Sequence, residues 1–231
     1  MAPPKLDSLP RFERDLLEVI SVAFFPANRT TLNRILKHAD IRNEAGNATT
    51  TQNVAQGLDV LKAAGWVEGD DRGYSCKPAV RDAVALAATK RGSIKRLAEA
   101  VRLQWPPPRF GGWWNDHEAL RDFRLELLLG SQQRIESTAK DVLKGTGRRS
   151  GGVHPFVVLF SHPEKELLGR LPDVIQLDAL RVVLQNGTRR FENTDQALEC
   201  LQSASGLTSR RSFWSRRCCA GNSPTQRNCS P

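Results

Sequence analysis

The apolar residues of this chain repeat with a helical period over most of its length and switch to a strand-like pattern in the stretch GWVEGDDRGYSC, residues 65–76. Ahead of the switch, Val54, Leu58, Leu61 and Ala64 or Gly65 fall three and four residues apart in TTQNVAQGLDVLKAAGWV. That spacing is one face of an amphipathic helix, with a threonine among 49–51 to cap it and Gly65 suited to the left-handed position past its end. Beyond the switch, Trp66-Val67-Glu68 and Tyr74-Ser75-Cys76 flank GDDRG, a five-residue connection with glycine at both ends. Such a pattern predicts a β-hairpin. Trp66 and Tyr74, on opposite strands, are expected to pair across it and close a small helical core.

Two further helices are expected upstream. Ser8 as cap, Pro10 near the first turn and Glu13 mark the start of the first. Phe12, Leu16, Leu17, Ile20 and Ala23 or Phe24 form its apolar face, and Pro26 ends it. Asn28 or Thr30 caps the second, in which Leu32, Ile35, Leu36 and Ala39 keep the spacing before the polar turn RNEAGNATTT. The second and third helices thus read as a helix-turn-helix pair, with the hairpin in the place of a wing. In this order of elements, carried by VLKAAGWVEGDDRGYSC and the helix pair before it, residues 9 to about 80 resemble the winged-helix superfamily.

After the hairpin, AVRDAVALAATKR and SIKRLAEAVRLQW predict two supporting helices joined at Arg91-Gly92, with Ser93 as cap. PPPRFGGWW then interrupts any helix and predicts a linker over 106–114. NDHEALRDFRLELLL and SQQRIESTAKDVLK form a helical hairpin about Gly130, followed by GTGRRSGG and a series of short helices through HPFVVLF, PEKELLGRL, PDVIQLDALRVVLQ and TDQALECLQSA. Helix pairs of this kind are similar to irregular tetratricopeptide-like arrays. A winged helix followed by short helix pairs is also similar to the N-terminal accessory region of large bacterial SNF2-type helicases. Neither a phosphate-binding loop nor a downstream acidic Mg²⁺ motif accompanies it. The expected architecture is mainly α: a winged-helix domain with two supporting helices over 1–105, a linker, a helical domain over 115–205, and a disordered tail over 206–231.

Charge sharpens this division. The formal net charge is +9, but residues 1–105 hold sixteen Lys and Arg against twelve Asp and Glu, residues 106–205 thirteen against thirteen, and the tail five against none. Only the first block can therefore present a folded basic surface. The tail, SGLTSRRSFWSRRCCAGNSPTQRNCSP, has too little aliphatic content to offset its ordering entropy. It reads as a basic nucleic-acid-binding arm, as a cysteine patch for metal that lacks a fourth ligand nearby, or as translation past a frameshift. Asp15 and Glu18 break the N-terminal apolar run that a signal peptide would need, and no window approaches the roughly 18 apolar residues of a membrane span. A cytoplasmic protein is expected. The five cysteines have no framework spacing, and His38, His117, His154 and His162 do not pair with one another or with cysteine at zinc-ligand spacing. No cofactor or metal is expected, and no nucleophile elbow or metalloprotease motif points to an enzyme.

The candidate functional residues come from the helix-turn-helix reading. The exposed N-terminal face of the third helix carries Thr50, Thr51, Gln52, Asn53 and Gln56. Asn and Gln can pair with adenine, and Thr with phosphate or a thymine methyl, in the major groove of duplex DNA. Arg72 at the hairpin tip suits a phosphate or minor-groove contact, although Asp70 and Asp71 adjoin it. Lys90, Arg91, Lys95 and Arg96 form the densest basic cluster outside the tail, with Arg29, Arg34 and Lys37 as further phosphate contacts. Each set also reads as an ordinary solvated face. Trp113 and Trp114 read as a stacking platform or as packing residues. The competing function is a protein-interaction scaffold, in which the winged helix is structural and the second helical domain docks a protein partner; a truncated helicase-associated fragment is compatible with either function.

Overall fold

The computed structural model describes residues 6–106, 116–146, 154–160, 162, 164–190, 195 and 197–200. Trp113 and Trp114, the linker beyond Pro106 and the tail lie outside them.

Helix α1, Arg11–Ala23, is the axis on which the N-terminal part is built. Its apolar stripe would bury one face, yet every residue from Leu16 to Ala23 is buried, because α2, α3, α4 and α5 pack around it. Ser8 is not its cap. That residue lies in a 3-10 turn, Leu6–Ser8, and Pro10 in the cap position offers no side-chain bond. A first-turn amide, Phe12 N–H, instead donates to Glu44 Oε1 at 2.8 Å, a cap supplied from 32 residues away. At the other end Phe24 adopts φ 71°, rare for a bulky residue. The guanidinium carbons of Arg81 and Arg124 lie 4.3 and 5.0 Å from its ring centroid.

Asn28 caps α2, Arg29–His38, accepting from Thr31 N–H at 2.9 Å. Thr50 caps α3, Thr51–Ala63, in a reciprocal box with Asn53. Gly65, at φ 80°, reverses the chain into the hairpin. A side chain at Gly57 would place its Cβ 2.9 Å from Leu16 Cδ2, so α3 lies unusually close to α1.

The hairpin is longer-stranded than expected. β1, Val67–Asp70, and β2, Gly73–Cys76, pair antiparallel with Asp70 opposite Gly73, leaving only Asp71 and Arg72 as the turn. Asp70 and both glycines of GDDRG belong to the ladder. Gly69 makes this possible: it has φ 113°, and a Cβ there would lie 2.1 Å from Gly73 O. The register also corrects the aromatic pair. Tyr74 faces Gly69 across the hairpin, whereas Trp66 precedes β1 and accepts from Lys77 N–H through its carbonyl. Each ring is buried separately. On its far side β2 bridges to Ala27, with paired N···O distances of 3.0 Å between Ala27 and Tyr74. The hairpin therefore closes a core formed by three helices.

α4, Pro78–Lys90, and α5, Ile94–Gln104, meet at Gly92. Ser93 occupies the cap position of α5 but bonds elsewhere, donating to Glu18 Oε2 and Ala88 O. α6, Asp116–Leu129, turns at Gly130 into α7, Gln132–Thr146, giving the expected helical hairpin. Short helices α8, Pro155–Phe160, and α9, Lys165–Leu168, precede α10, Asp173–Arg190. The described chain is mainly helical, with one two-stranded sheet. Its buried apolar residues form a cluster extending from Leu9 past α10 to Cys200.

Candidate nucleic-acid interface

The capping chemistry of α3 divides its five expected contact residues. Asn53 Oδ1 accepts from Thr50 N–H at 3.1 Å and from Thr50 Oγ1 at 2.8 Å, while Thr50 Oγ1 accepts from Asn53 N–H at 3.2 Å. Asn43 Nδ2 approaches the same oxygen at 3.5 Å. These two side chains satisfy the orphan backbone of the helix start, so their polar atoms are engaged before any ligand arrives. Thr51, Gln52 and Gln56 are exposed, and none has a side-chain hydrogen bond among the described residues. Gln52 and Gln56 stand four residues apart, one above the other on a single face. Asp59 continues that face toward the hairpin and is also exposed.

Between the end of this face and the hairpin lies a shallow open cleft of about 470 Å³, lined by Arg29, Asp59, Lys62, Asp70, Asp71, Arg72 and Tyr74. Three cations and three carboxylates share it, and most are already engaged. Arg29 Nη2 pairs with Asp71 Oδ1 at 2.7 Å and donates to Tyr74 Oη at 3.1 Å. Tyr74 Oη donates in turn to Asp71 Oδ1 at 2.8 Å, completing a triangle. The Tyr74 hydrogen bond raises the Arg29 pKa above its ordinary value; burial raises that of the Tyr74 phenol. Asp70 Oδ1 accepts from Arg72 N–H at 2.9 Å, bracing the turn, and Lys62 Nζ donates to Gly69 O at 2.9 Å. Arg72 remains exposed, with no side-chain partner among the described residues.

The basic cluster at 90–96 is similarly divided. Lys90 Nζ lies 2.9 Å from Glu166 Oε2 on α9, and Arg91 pairs with the buried Glu18 carboxylate and, at 4.0 Å, with Asp7. Lys95 and Arg96 point outward from α5 with no ion pair among the described residues, as do Arg34 and Lys37 from α2. α5 packs mainly on α2 and α1, while α3 packs on α1, α2 and β1.

Sequence reasoning missed the tethering roles of Arg29 and Lys62. A signal for Arg29 was present: it is the first residue of α2, where a cation opposes the helix dipole. A residue so placed needs a carboxylate partner, which Asp71 supplies. Among the described residues no group of three or more His, Cys, Asp or Glu is arranged to hold a metal ion, and no helix is long and apolar enough to cross a membrane. No family model, curated protein or solved structure matches the chain.

Proposed function

We propose that this chain is a non-catalytic DNA-binding module of winged-helix type that works in the cytoplasm. Its third helix enters the major groove of duplex DNA and its hairpin touches the flanking backbone. The observation that carries this reading is the outward face of α3, where Thr51, Gln52 and Gln56 stand uncommitted on the same side as the cleft that leads to Arg72. Gln52 and Gln56 are the base readers, since a glutamine amide can donate to and accept from adenine at once. Thr51 and Arg72 contact phosphate, with Lys95, Arg96, Arg34 and Lys37 adding sequence-independent attraction. Thr50 and Asn53 hold the start of the helix; from the α4–α5 junction, Lys90 pairs with Glu166 of α9 and Arg91 with Glu18 of α1.

The test is fluorescence anisotropy with the full chain and mixed-sequence duplex DNA over a range of salt. A second protein, with Arg210, Arg211, Arg216, Arg217 and Arg227 replaced by Ser, removes the charge of the tail. Binding that persists in this variant and weakens steeply with salt supports the proposal. Arg72→Ala and Lys95→Ala are each expected to reduce the log–log salt slope by about one. Binding that disappears with the tail arginines would assign the affinity to the tail instead.

The scaffold reading draws on a different observation. Val174 and Leu177, 72% and 37% exposed, lie three residues apart on α10. A partner docked there would associate through apolar contact, with little dependence on salt. Failure of DNA binding together with salt-insensitive association would favour it.

A further inference from the structure

We propose that Asp71 is a positioning residue for DNA binding: with Arg29 and Tyr74 it latches the hairpin to α2 and so aims Arg72 at the phosphate backbone. This rests on the DNA-binding reading above and goes beyond it, because a carboxylate beside the contacting arginine would be expected to repel the ligand.

The geometry gives Asp71 a different task. Its Oδ1 receives Arg29 Nη2 at 2.7 Å and Tyr74 Oη at 2.8 Å, and the two donors are themselves 3.1 Å apart. Arg29 opens α2 and Tyr74 is the central residue of the Ala27 bridge, so the triangle joins the hairpin turn to the helix that packs against α3. Three other ties act on the same hairpin. Ala27 and Tyr74 exchange both backbone hydrogen bonds. Gly73 lies so close to Pro26 that a Cβ would approach the proline Cβ to 2.7 Å. Lys62 Nζ holds Gly69 O from the α3 side.

The turn itself comprises only Asp71 and Arg72. Fixing the first residue by its side chain fixes the direction in which the second leaves the backbone, at the end already braced by Asp70. Arg29 also neutralises Asp71, so the tip carries less negative charge than its sequence implies. The only side chain of the turn without a partner among the described residues is then Arg72. A contact arranged in this way loses less backbone freedom on binding than one on a free loop.

The two accounts of Asp71 predict opposite signs. If it merely repels, Asp71→Asn tightens binding of the full chain to duplex DNA, as Asp59→Asn should by removing a carboxylate that has no ion pair among the described residues from the outer face of α3. If it positions Arg72, Asp71→Asn weakens binding about fivefold and lowers the salt slope by about one, as expected for loss of one phosphate contact. Tyr74→Phe, which keeps the ring and deletes the hydroxyl, weakens binding in the same direction. Tighter binding by Asp71→Asn overturns the positioning role and leaves the DNA-binding reading standing. A wild-type chain that does not bind duplex DNA overturns that reading and the positioning role together.

The latch has its own readout, independent of DNA. Tyr74 is the single tyrosine of the chain, so its phenol can be titrated by tyrosinate absorbance without interference from another. The proton it shares with Asp71 favours the neutral phenol. Asp71→Asn is therefore expected to move this titration to lower pH. An unchanged titration would show that the triangle does not form in solution and would overturn the latch itself.

Discussion

Cys76 shows how far burial alone can set the chemistry of one side chain. It ends β2 at 3% exposure, and burial pushes its thiol up to about 12, against the opposing pull of Arg124 and Arg81. The folded chain therefore holds this proton in a range where the unfolded chain, with an ordinary thiol near pH 9, releases it. Below pH 9 both states are protonated and the thiol imposes no penalty on folding. Stability should then fall as pH rises from 9 toward 12, by about 1.4 kcal/mol per pH unit. Tyr74, whose phenol is also raised, adds to the loss above its ordinary value of 10.0. Urea unfolding across this range should show the decline, and Cys76→Ala should flatten the Cys76 share of it. In the native state the thiol should resist alkylation that proceeds readily in urea. At this scale the sequence showed that Trp66 and Tyr74 belong inside, from their place beside a helix end and a turn. It did not show their partners, because a strand register depends on the turn, and the turn is tighter than the two flanking glycines suggested.

Helix α3 separates its duties by face. Thr50 and Asn53 close its first turn, Val54, Leu58 and Leu61 enter the core, and Thr51, Gln52 and Gln56 face outward. Thr50→Ala and Asn53→Ala should each cost about 1 kcal/mol in denaturant unfolding. Their combined effect should be less than additive, because the two side chains share the same bonds. Gln52→Ala and Gln56→Ala should leave stability within about 0.5 kcal/mol. On the DNA-binding reading proposed above, they should instead weaken discrimination between duplexes by about 1–3 kcal/mol per base contact, measured by competition between A·T- and G·C-containing sites. The period of the apolar residues made the helix, its core face and its outer face legible. Asn53 was placed among the contact residues because a polar side chain in the first turn looks the same in sequence whether it faces a ligand or its own backbone. The α1 cap was not legible at all: Glu44 lies in a polar turn, and only the fold brings it to Phe12 N–H.

Across the whole molecule, α6 joins the N-terminal helices to those nearer the C-terminus, packing on α4 and α5 and on α7 and α8. From Leu120 to Leu128 every residue of the helix is buried, so that it holds Arg121, Asp122, Arg124 and Glu126 among leucines. Arg124, 1% exposed, donates to Ser21 O at 2.8 Å and pairs with Asp82 at 2.7 Å, while Glu126 receives Arg102 of α5 at 2.5 Å. Arg124→Ala should cost about 3 kcal/mol, because it leaves the buried Asp82 carboxylate only Arg81, at 3.6 Å, and the Ser21 carbonyl without this donor. Lys90→Ala, which breaks the exposed pair with Glu166, should cost under about 1 kcal/mol. Thermal or urea unfolding distinguishes the two. The sequence presented this segment as one arm of a helical hairpin, correctly, but gave no sign that its charges lie in the interior. Paired charges in an interior leave the same imprint on composition as charges in water. A helix lined only with leucine can slip a residue along its groove or roll by part of a turn and still be greased on every side. α6 cannot, since Arg124 is held at Asp82 and the Ser21 carbonyl, and Glu126 between Arg102 and Arg134. Like the wards of a key, these unlike charges admit one depth and one angle, and α4 and α5, which carry Asp82 and Arg102, meet α6 in that setting.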